Sequence, residues 1–156
     1  AASLSNRFGI IVGRRKWVHQ MQSTVHEYGH AHRLAGFYDV NLGVDDFQKD
    51  HTETGRRLLS AGRKAVEDDG AEALILCCTM EIGFYKKIEQ ELGVPVIDPS
   101  IAALKRAEYA AILKRQCGWI PSRKGSCEAP SEEELNKFGA FKYDEPIFGS
   151  RIIIQS

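Results

Sequence analysis

Residues 73–83 have the sequence Ala-Leu-Ile-Leu-Cys-Cys-Thr-Met-Glu-Ile-Gly. Four apolar residues run directly into two adjacent cysteines and a threonine. A short apolar run that ends in polar, turn-forming residues predicts a buried strand of a parallel sheet. Ligands of such sheets bind at the carboxyl ends of the strands. We therefore expect Cys78 and Thr79 to lie at the edge of a sheet where a substrate would bind.

Strand and helix patterns alternate on both sides of this segment. Apolar runs predict strands at residues 8–12, 34–42, 73–76 and 93–99. Apolar residues at three- and four-residue steps predict helices at residues 17–28, 51–69, 82–92 and 100–114. This β-α-β-α-β-α-β-α order predicts a three-layer α/β lobe of the flavodoxin-like kind, with a four-stranded parallel sheet covered by helices on both faces.

The α/β pattern covers residues 7–116 and breaks after them. Residues 117–156 are predicted to form an irregular C-terminal tail with one helical turn at residues 132–138 and a strand at residues 152–154. Within the lobe, Asp50 and Ser100 precede predicted helices and are expected to be their N-caps. Asp98, which precedes a proline, is expected to be a turn or cap residue, although its position at a strand end also allows it to face the cleft.

Composition limits the classes of function. The 156 residues suffice for one domain with a sizeable core, and Lys plus Arg equals Asp plus Glu at 21 each. No net charge therefore attracts the chain to nucleic acid or to a membrane surface, and no apolar run is long enough to span a bilayer. The first residues lack the pattern of a signal peptide. Four cysteines, two of them adjacent, indicate free thiols in a reducing cytoplasm rather than a disulfide framework.

Cys78 is the candidate reactive group. It is followed by a predicted helix, and unpaired N–H groups at a helix N-terminus stabilise a thiolate. The same N–H groups, together with the Thr79 hydroxyl, would hold a substrate carboxylate or imide oxygen. The alternative from the residues alone is that Cys77 and Cys78 are both inert packing groups at the end of a strand.

Several segments, taken in order, point to a family. They are Arg-Phe-Gly-Ile-Ile at 7–11, Tyr-Gly at 28–29 with Ala-His-Arg-Leu-Ala at 31–35, the Cys-Thr segment at 70–79, Gly-Val-Pro-Val-Ile-Asp-Pro at 93–99 with Ala-Ala at 102–103, and Ser-Arg-Lys-Gly at 122–125 with Pro130. Together they resemble the second lobe and tail of the hydantoin racemase branch of the aspartate/glutamate racemase superfamily. The chain differs in two places: Cys77 stands where a glycine usually precedes Cys-Thr, and Gly-Arg-Arg at 13–15 replaces small hydroxyl residues.

The resemblance implies an Asp/Glu racemase-like fold and a racemase without cofactor or metal. In that family two thiols, one from each of two lobes, move a proton at the carbon next to a carbonyl of an amino-acid-derived substrate. Cys78 would be the second-lobe thiol, and Thr79, Asp98 and Ser100 would contact the small-molecule substrate. The first-lobe cysteine has no counterpart in this chain, so a first lobe or another copy of the chain is expected as a partner.

Three other functions remain open from the sequence. One is an arylmalonate-type decarboxylase that needs only the Cys78 thiol. Another is a zinc peptidase, because His26, Glu27 and His30 satisfy H-E-x-x-H, a motif that on a helix places two zinc ligands on one face. The third is a non-catalytic lobe whose role is to pair with another lobe.

Overall fold

A computed structural model describes residues 1–138. Four strands form one parallel sheet in the order β2-β1-β3-β4: β1 Phe8–Val12, β2 Leu34–Asp39, β3 Ala73–Leu76 and β4 Val96–Ile97. The helices are α1 Val18–Glu27, α2 His51–Arg63, α3 Tyr85–Leu92, α4 Pro99–Cys117 and α5 Glu132–Phe138. The predicted α/β fold with a four-stranded parallel sheet is therefore confirmed. The predicted strand at residues 152–154 lies outside the described residues.

Two apolar cores lie on the two faces of the sheet. On one face, Phe8, Ile10 and Val12 pack with Met21 and Val25 of α1. On the other face, a larger core includes Ile11, Leu74 and Leu76 of the strands with Leu58 of α2 and Ile88 of α3. The alternation follows from the strand period of two, which sends successive side chains to opposite faces. Among the described residues, α4 has no buried residue; α2 and α3 supply buried residues such as Leu58 and Ile88, and α1 supplies the half-buried Met21 and Val25.

The register of the sheet brings three chain segments together at its carboxyl edge. Ile11 of β1 is paired with Leu76 of β3, and Val12 with Asp39 of β2. The pairing extends past the strand ends, because Cys77 N–H donates to the Ile11 carbonyl over 3.1 Å and Leu42 N–H to the Gly13 carbonyl over 2.9 Å. The residues that follow β1, β2 and β3 therefore lie side by side.

Several predicted boundaries are corrected by the structure. The second strand ends at Asp39 instead of residue 42, and Asn41 adopts a left-handed φ of 52° that interrupts extended backbone. The fourth strand is reduced to Val96–Ile97, because Gly93 at φ 69° still belongs to the end of α3. The third helix begins at Tyr85 instead of residue 82.

The cap of the last helix of the lobe also differs from the prediction. The helix α4 begins at Pro99, and the Asp98 carboxylate accepts hydrogen bonds from the N–H groups of Ser100 (2.8 Å) and Ile101 (3.2 Å). Proline suits the first helical position because its missing N–H would have no partner there. The prediction that Ser100 is the cap was wrong, whereas the cap interpretation of Asp98 is confirmed. The predicted cap at Asp50 is also present, since its carboxylate accepts the N–H of Glu53 over 2.9 Å.

The chain divides into two compact units, Ala1–Ala111 and Ile112–Ser156. All four strands and helices α1 to α3 belong to the first unit, and α5 belongs to the second. In the part of the chain that the structure describes, no helix combines the length and apolar character needed to cross a membrane.

Candidate active site

A cavity of about 510 Å³ opens at the carboxyl edge of the sheet. Its walls come from the segments that follow β1, β2 and β3, together with α1. The lining residues are Gly13, Arg14, Lys16, Trp17, Met21, Leu42, Gly43, Val44, Asp45, Asp46, Phe47, Lys49, Cys77 and Cys78. The sequence-predicted thiol therefore lies in a cavity at the edge where ligands of parallel sheets bind.

Cys78 is half-buried and is the last extended residue after β3. It is followed by a single 3-10 turn, Thr79–Glu81, and α3 begins only at Tyr85. Gly83, at φ 93°, separates that turn from α3. The expectation that the thiol directly precedes a regular helix was therefore wrong, because the local backbone N–H groups belong to one short turn.

Glu81 closes that short turn from inside the protein. Its side chain is fully buried, its Oε2 accepts the N–H of Cys78 over 3.0 Å, and its own N–H donates to the Cys78 carbonyl over 3.0 Å. Burial raises the pKa of the Glu81 carboxyl to about 7, the N–H groups of Cys78 and Cys77 oppose that rise, and the Asp98 charge adds to it. Sequence reasoning missed Glu81, because a single glutamate in a turn gives no signal of burial.

The three predicted substrate contacts differ in where they lie. Thr79 is exposed beside Cys78, Asp98 is buried at 3% exposure beneath the first turn of α4, and Ser100 is half-buried in that turn. None of the three lines the cavity. The structure therefore does not bring Asp98 and Ser100 together with Cys78 in one cavity, and their contact with substrate stays a prediction.

Cys77 is directed into the core beneath α1. Its Sγ lies 3.2 Å from the Sδ of Met21, and it packs with the face of the sheet that Phe8 and Val12 share. Burial, with a smaller effect of the Glu81 charge, raises the pKa of its thiol to about 11. A thiol with that pKa stays protonated near neutral pH, as expected for a packing group.

Charged side chains of both signs also line the cavity. Arg14 follows β1, and its Nη2 would lie 2.9 Å from a β-carbon at position 43, so Gly43 leaves room for it. The Asp46 carboxylate accepts the Gly43 N–H over 3.0 Å and pairs with Lys49 Nζ at 2.8 Å. The hydrogen bond from Lys49, followed by the one from Gly43, lowers the pKa of Asp46. The sequence signal for these basic residues was the Gly-Arg-Arg segment after the first strand. Such a segment is also compatible with an exposed loop.

The H-E-x-x-H segment does not have the geometry of a zinc site. The helix α1 ends at Glu27, and Gly29 adopts φ 74°, so His30 lies beyond the helix that carries His26. The motif requires both histidines on one helical face. Within residues 1–138, no group of three or more His, Cys, Asp or Glu side chains is arranged to hold a metal ion. The structure therefore contradicts the zinc peptidase alternative.

The sequence model of the family described as Asp/Glu/Hydantoin racemase matches residues 1–107. The chain belongs to this family. The similarity of individual members agrees with it: the hydantoin racemase of Paenarthrobacter aurescens is 38% identical over 120 residues, covering 77% of this chain and 48% of the relative. The hydantoin racemase of Pseudomonas sp. (strain NS671) is 35% identical over 139 residues, covering 89% of this chain and 56% of the relative.

Solved structures of racemases share the fold. The allantoin racemase of Klebsiella pneumoniae superimposes with a TM-score of 0.77 at 23% identity, covering 85% of this chain and 52% of that protein. The allantoin racemase of Pseudomonas fluorescens gives 0.73 at 23% identity, covering 83% and 53%. This member of the Asp/Glu/Hydantoin racemase family thus spans about half the length of the relatives that it matches.

Proposed function

We propose that this chain is one lobe of a cofactor-independent racemase, in which Cys78 is one of two thiols that move a proton next to a carbonyl. The observation that carries the proposal is the half-buried Cys78 in a cavity at the carboxyl edge of the sheet. Membership of the Asp/Glu/Hydantoin racemase family supports it. The names of the relatives, hydantoin and allantoin racemases, favour a hydantoin or another amino-acid-derived substrate.

The proposed reaction is balanced by the two thiols alone. Cys78, as a thiolate, takes the proton from the carbon next to the carbonyl, and the C–H electron pair moves into an enolate. The second thiol then donates its own proton to the opposite face of that carbon and becomes a thiolate. The roles are exchanged in the reverse direction, so no external oxidant, reductant or cofactor is needed.

Groups near Cys78 would bind the substrate and the developing enolate charge. Thr79 is exposed next to Cys78, which favours direct contact through its hydroxyl. Arg14, which lines the same cavity, would provide a cation for a carboxylate or imide oxygen. Asp98 and Ser100 remain proposed substrate contacts; Asp98 directly precedes α4 and Ser100 lies in its first turn.

The second thiol is proposed to come from a first lobe or from another copy of this chain. Cys77 is unsuited to that role, because it packs against Met21 and has a pKa of about 11. Cys117 and Cys127 are exposed and are not among the residues that line the cavity. A partner that covers the open side of the cavity would complete the site.

An arylmalonate-type decarboxylase is the second candidate. The observation that favours it is that one suitable thiol shares the cavity with the basic side chains of Arg14 and Lys16. A malonate carries two carboxylates, one of which would be lost as carbon dioxide while Cys78 protonates the resulting enediolate. Release of carbon dioxide from an arylmalonate, lost in C78A, would favour this reaction over racemisation.

Solvent isotope exchange tests the proposed role of Cys78 without requiring the second thiol. The chain is incubated in D₂O with each enantiomer of a 5-substituted hydantoin, and loss of the C5 proton signal is followed by NMR. We expect exchange above the buffer rate for the wild type and for C117S, and a rate at the buffer level for C78A. Equal exchange by C78A and wild type would refute the catalytic role of Cys78.

A further inference from the structure

We propose that Glu81 is a positioning residue for Cys78 and that its buried carboxyl group holds a proton under the influence of the Asp98 carboxylate. This inference rests on the proposed role of Cys78 as the reactive thiol. Glu81 and Asp98 are exposed by 0% and 3%, and they follow β3 and β4, two neighbouring strands paired at Ile75 and Ile97. The two carboxyl groups therefore lie inside the protein at the same edge of the sheet.

The hydrogen bonds of the two carboxyl groups leave one oxygen of each without a partner. Glu81 uses Oε2 to accept the Cys78 N–H, and Asp98 uses Oδ1 to accept the first N–H groups of α4. Within the described residues, the buried side-chain oxygens without a hydrogen bond are Glu81 Oε1 and Asp98 Oδ2. Two ionised carboxyl groups with unpartnered oxygens at one buried edge are costly, and protonation of Glu81 reduces that cost.

Electrostatics identifies Glu81 as the group that carries the proton. Burial raises its pKa to about 7, and the charge of Asp98 adds to that rise. Oδ1 of Asp98 accepts two N–H groups at the positive end of α4. The other titratable groups that face Glu81 are the thiols of Cys77 and Cys78 at the end of β3.

Protonation of Glu81 limits the negative charge behind Cys78 to the single charge of Asp98. When Glu81 ionises, a second negative charge lies next to the Cys78 backbone and disfavours the Cys78 thiolate. The reciprocal hydrogen bonds between Cys78 and Glu81 also fix the turn that carries the thiol. Glu81 thereby acts on the reaction through the orientation and the ionisation of Cys78.

Alkylation of Cys78 as a function of pH tests this inference. The background is C77A, C117S and C127S, in which Cys78 is the single remaining thiol of the four. The reagent is iodoacetamide. Because it is uncharged, its approach to the site is not affected by the charge of Glu81. The wild-type background is compared with E81Q and with E91Q, which changes an exposed glutamate of α3.

The expected curves differ in shape. In E81Q the amide oxygen still accepts the Cys78 N–H, so we expect a single thiol titration, with alkylation above pH 8 several-fold faster than in the wild type. In the wild type and in E91Q, ionisation of Glu81 near pH 7 flattens the curve. Identical curves for wild type and E81Q overturn the inference.

D98N supplies a second test that does not depend on E81Q folding. Asparagine retains the helix cap, but it removes the charge that favours protonation of Glu81. We expect the flattening of the curve to move to lower pH, and an unmoved curve contradicts the influence of Asp98 on the Glu81 proton. The isotope-exchange assay tests the proposed function separately. If C78A loses exchange but the alkylation curves are identical, only the role of Glu81 is refuted. If the curves differ but no exchange occurs, only the proposed reaction is refuted.

Discussion

Cys77 and Cys78 are adjacent in the chain, but they pack with different cores of the lobe. Because strand side chains alternate in direction, one cysteine packs under α1 and the other belongs to the face covered by α2 and α3. The sequence predicted that Cys78 is the reactive thiol; both cysteines line the cavity, and the reactivity of Cys78 stays a prediction. The sequence did not indicate Glu81, because only the tertiary structure turns a common polar residue into a buried acid.

Glu81 predicts a specific dependence of stability on pH. Its pKa rises from an ordinary value of 4.5 to about 7 on folding. Between these values the native state holds a proton that the unfolded state has lost, so the free energy of unfolding falls as pH rises through this window. In denaturant unfolding, the free energy of unfolding of the wild type should fall by about 3 kcal/mol relative to that of E81Q between pH 4.5 and 7. A constant difference between the two proteins would show that Glu81 titrates normally.

The Cys77 thiol should resist modification until high pH. Its pKa of about 11 reflects burial against Met21. In a C78A, C117S and C127S background, in which Cys77 is the remaining thiol, we expect alkylation below pH 9 to be at least about tenfold slower than for a free thiol of pKa near 8.5. The same measurement in 6 M guanidinium chloride is the control, since unfolding should restore ordinary reactivity. Fast alkylation of the native protein would contradict the packing role.

Two glycines of α2 test how tightly that helix packs on the sheet. A β-carbon at Gly62 would lie 2.8 Å from Leu92 Cδ1 and 3.0 Å from Leu74 Cδ1, whereas one at Gly55 would lie 3.7 Å from the Phe84 ring. G62A should therefore lower the free energy of unfolding by about 1–3 kcal/mol through overpacking. The matched variant G55A should raise it by about 0.5–1 kcal/mol, because alanine is the better helix former. Chemical denaturation compares them, and equal effects would argue against close packing at Gly62.

The cap of α4 gives a second pair of variants. D98A removes the carboxylate that accepts two N–H groups of the first turn, so we expect a loss of about 1–2 kcal/mol. S100A should stay within about 0.5 kcal/mol of the wild type, because its hydroxyl is not the cap. Thermal or denaturant unfolding of both variants tests this, and a larger loss in S100A would restore Ser100 as the important cap.

The order of strands and helices could be predicted from sequence because each element buries an apolar face with its own period. Boundaries failed where single residues control the backbone. Asn41 and Gly83 have positive φ values of 52° and 93°, and they end or delay elements that apolar periodicity alone extends through them. The cap at Asp98 was open to two interpretations, since a residue before proline fits both a turn and an N-cap.

The whole chain spans about half the length of its relatives, and this predicts a stereochemical result. In the proposed mechanism the thiol of a single lobe reaches one face of the substrate carbon, so the chain alone should exchange the C5 proton of one hydantoin enantiomer for deuterium with retention of configuration. Polarimetry should show slow or no racemisation above the buffer rate, with C78A as the control. Fast racemisation by the chain alone would mean that the second thiol comes from the same chain or from a second copy of it.

Helix α4 spans Pro99–Cys117 without a buried residue, and it exposes Leu104, Tyr109 and Ile112 by 57%, 54% and 41%. An isolated helix of this length is only marginally stable in water, so its backbone amides should open locally much more often than those of β1 and β3. In hydrogen–deuterium exchange followed by mass spectrometry, peptides from α4 should take up deuterium well before peptides from these strands. A first lobe or a second copy that covers α4 would slow that uptake. Amide protection of α4 would therefore report partner binding even when no reaction takes place.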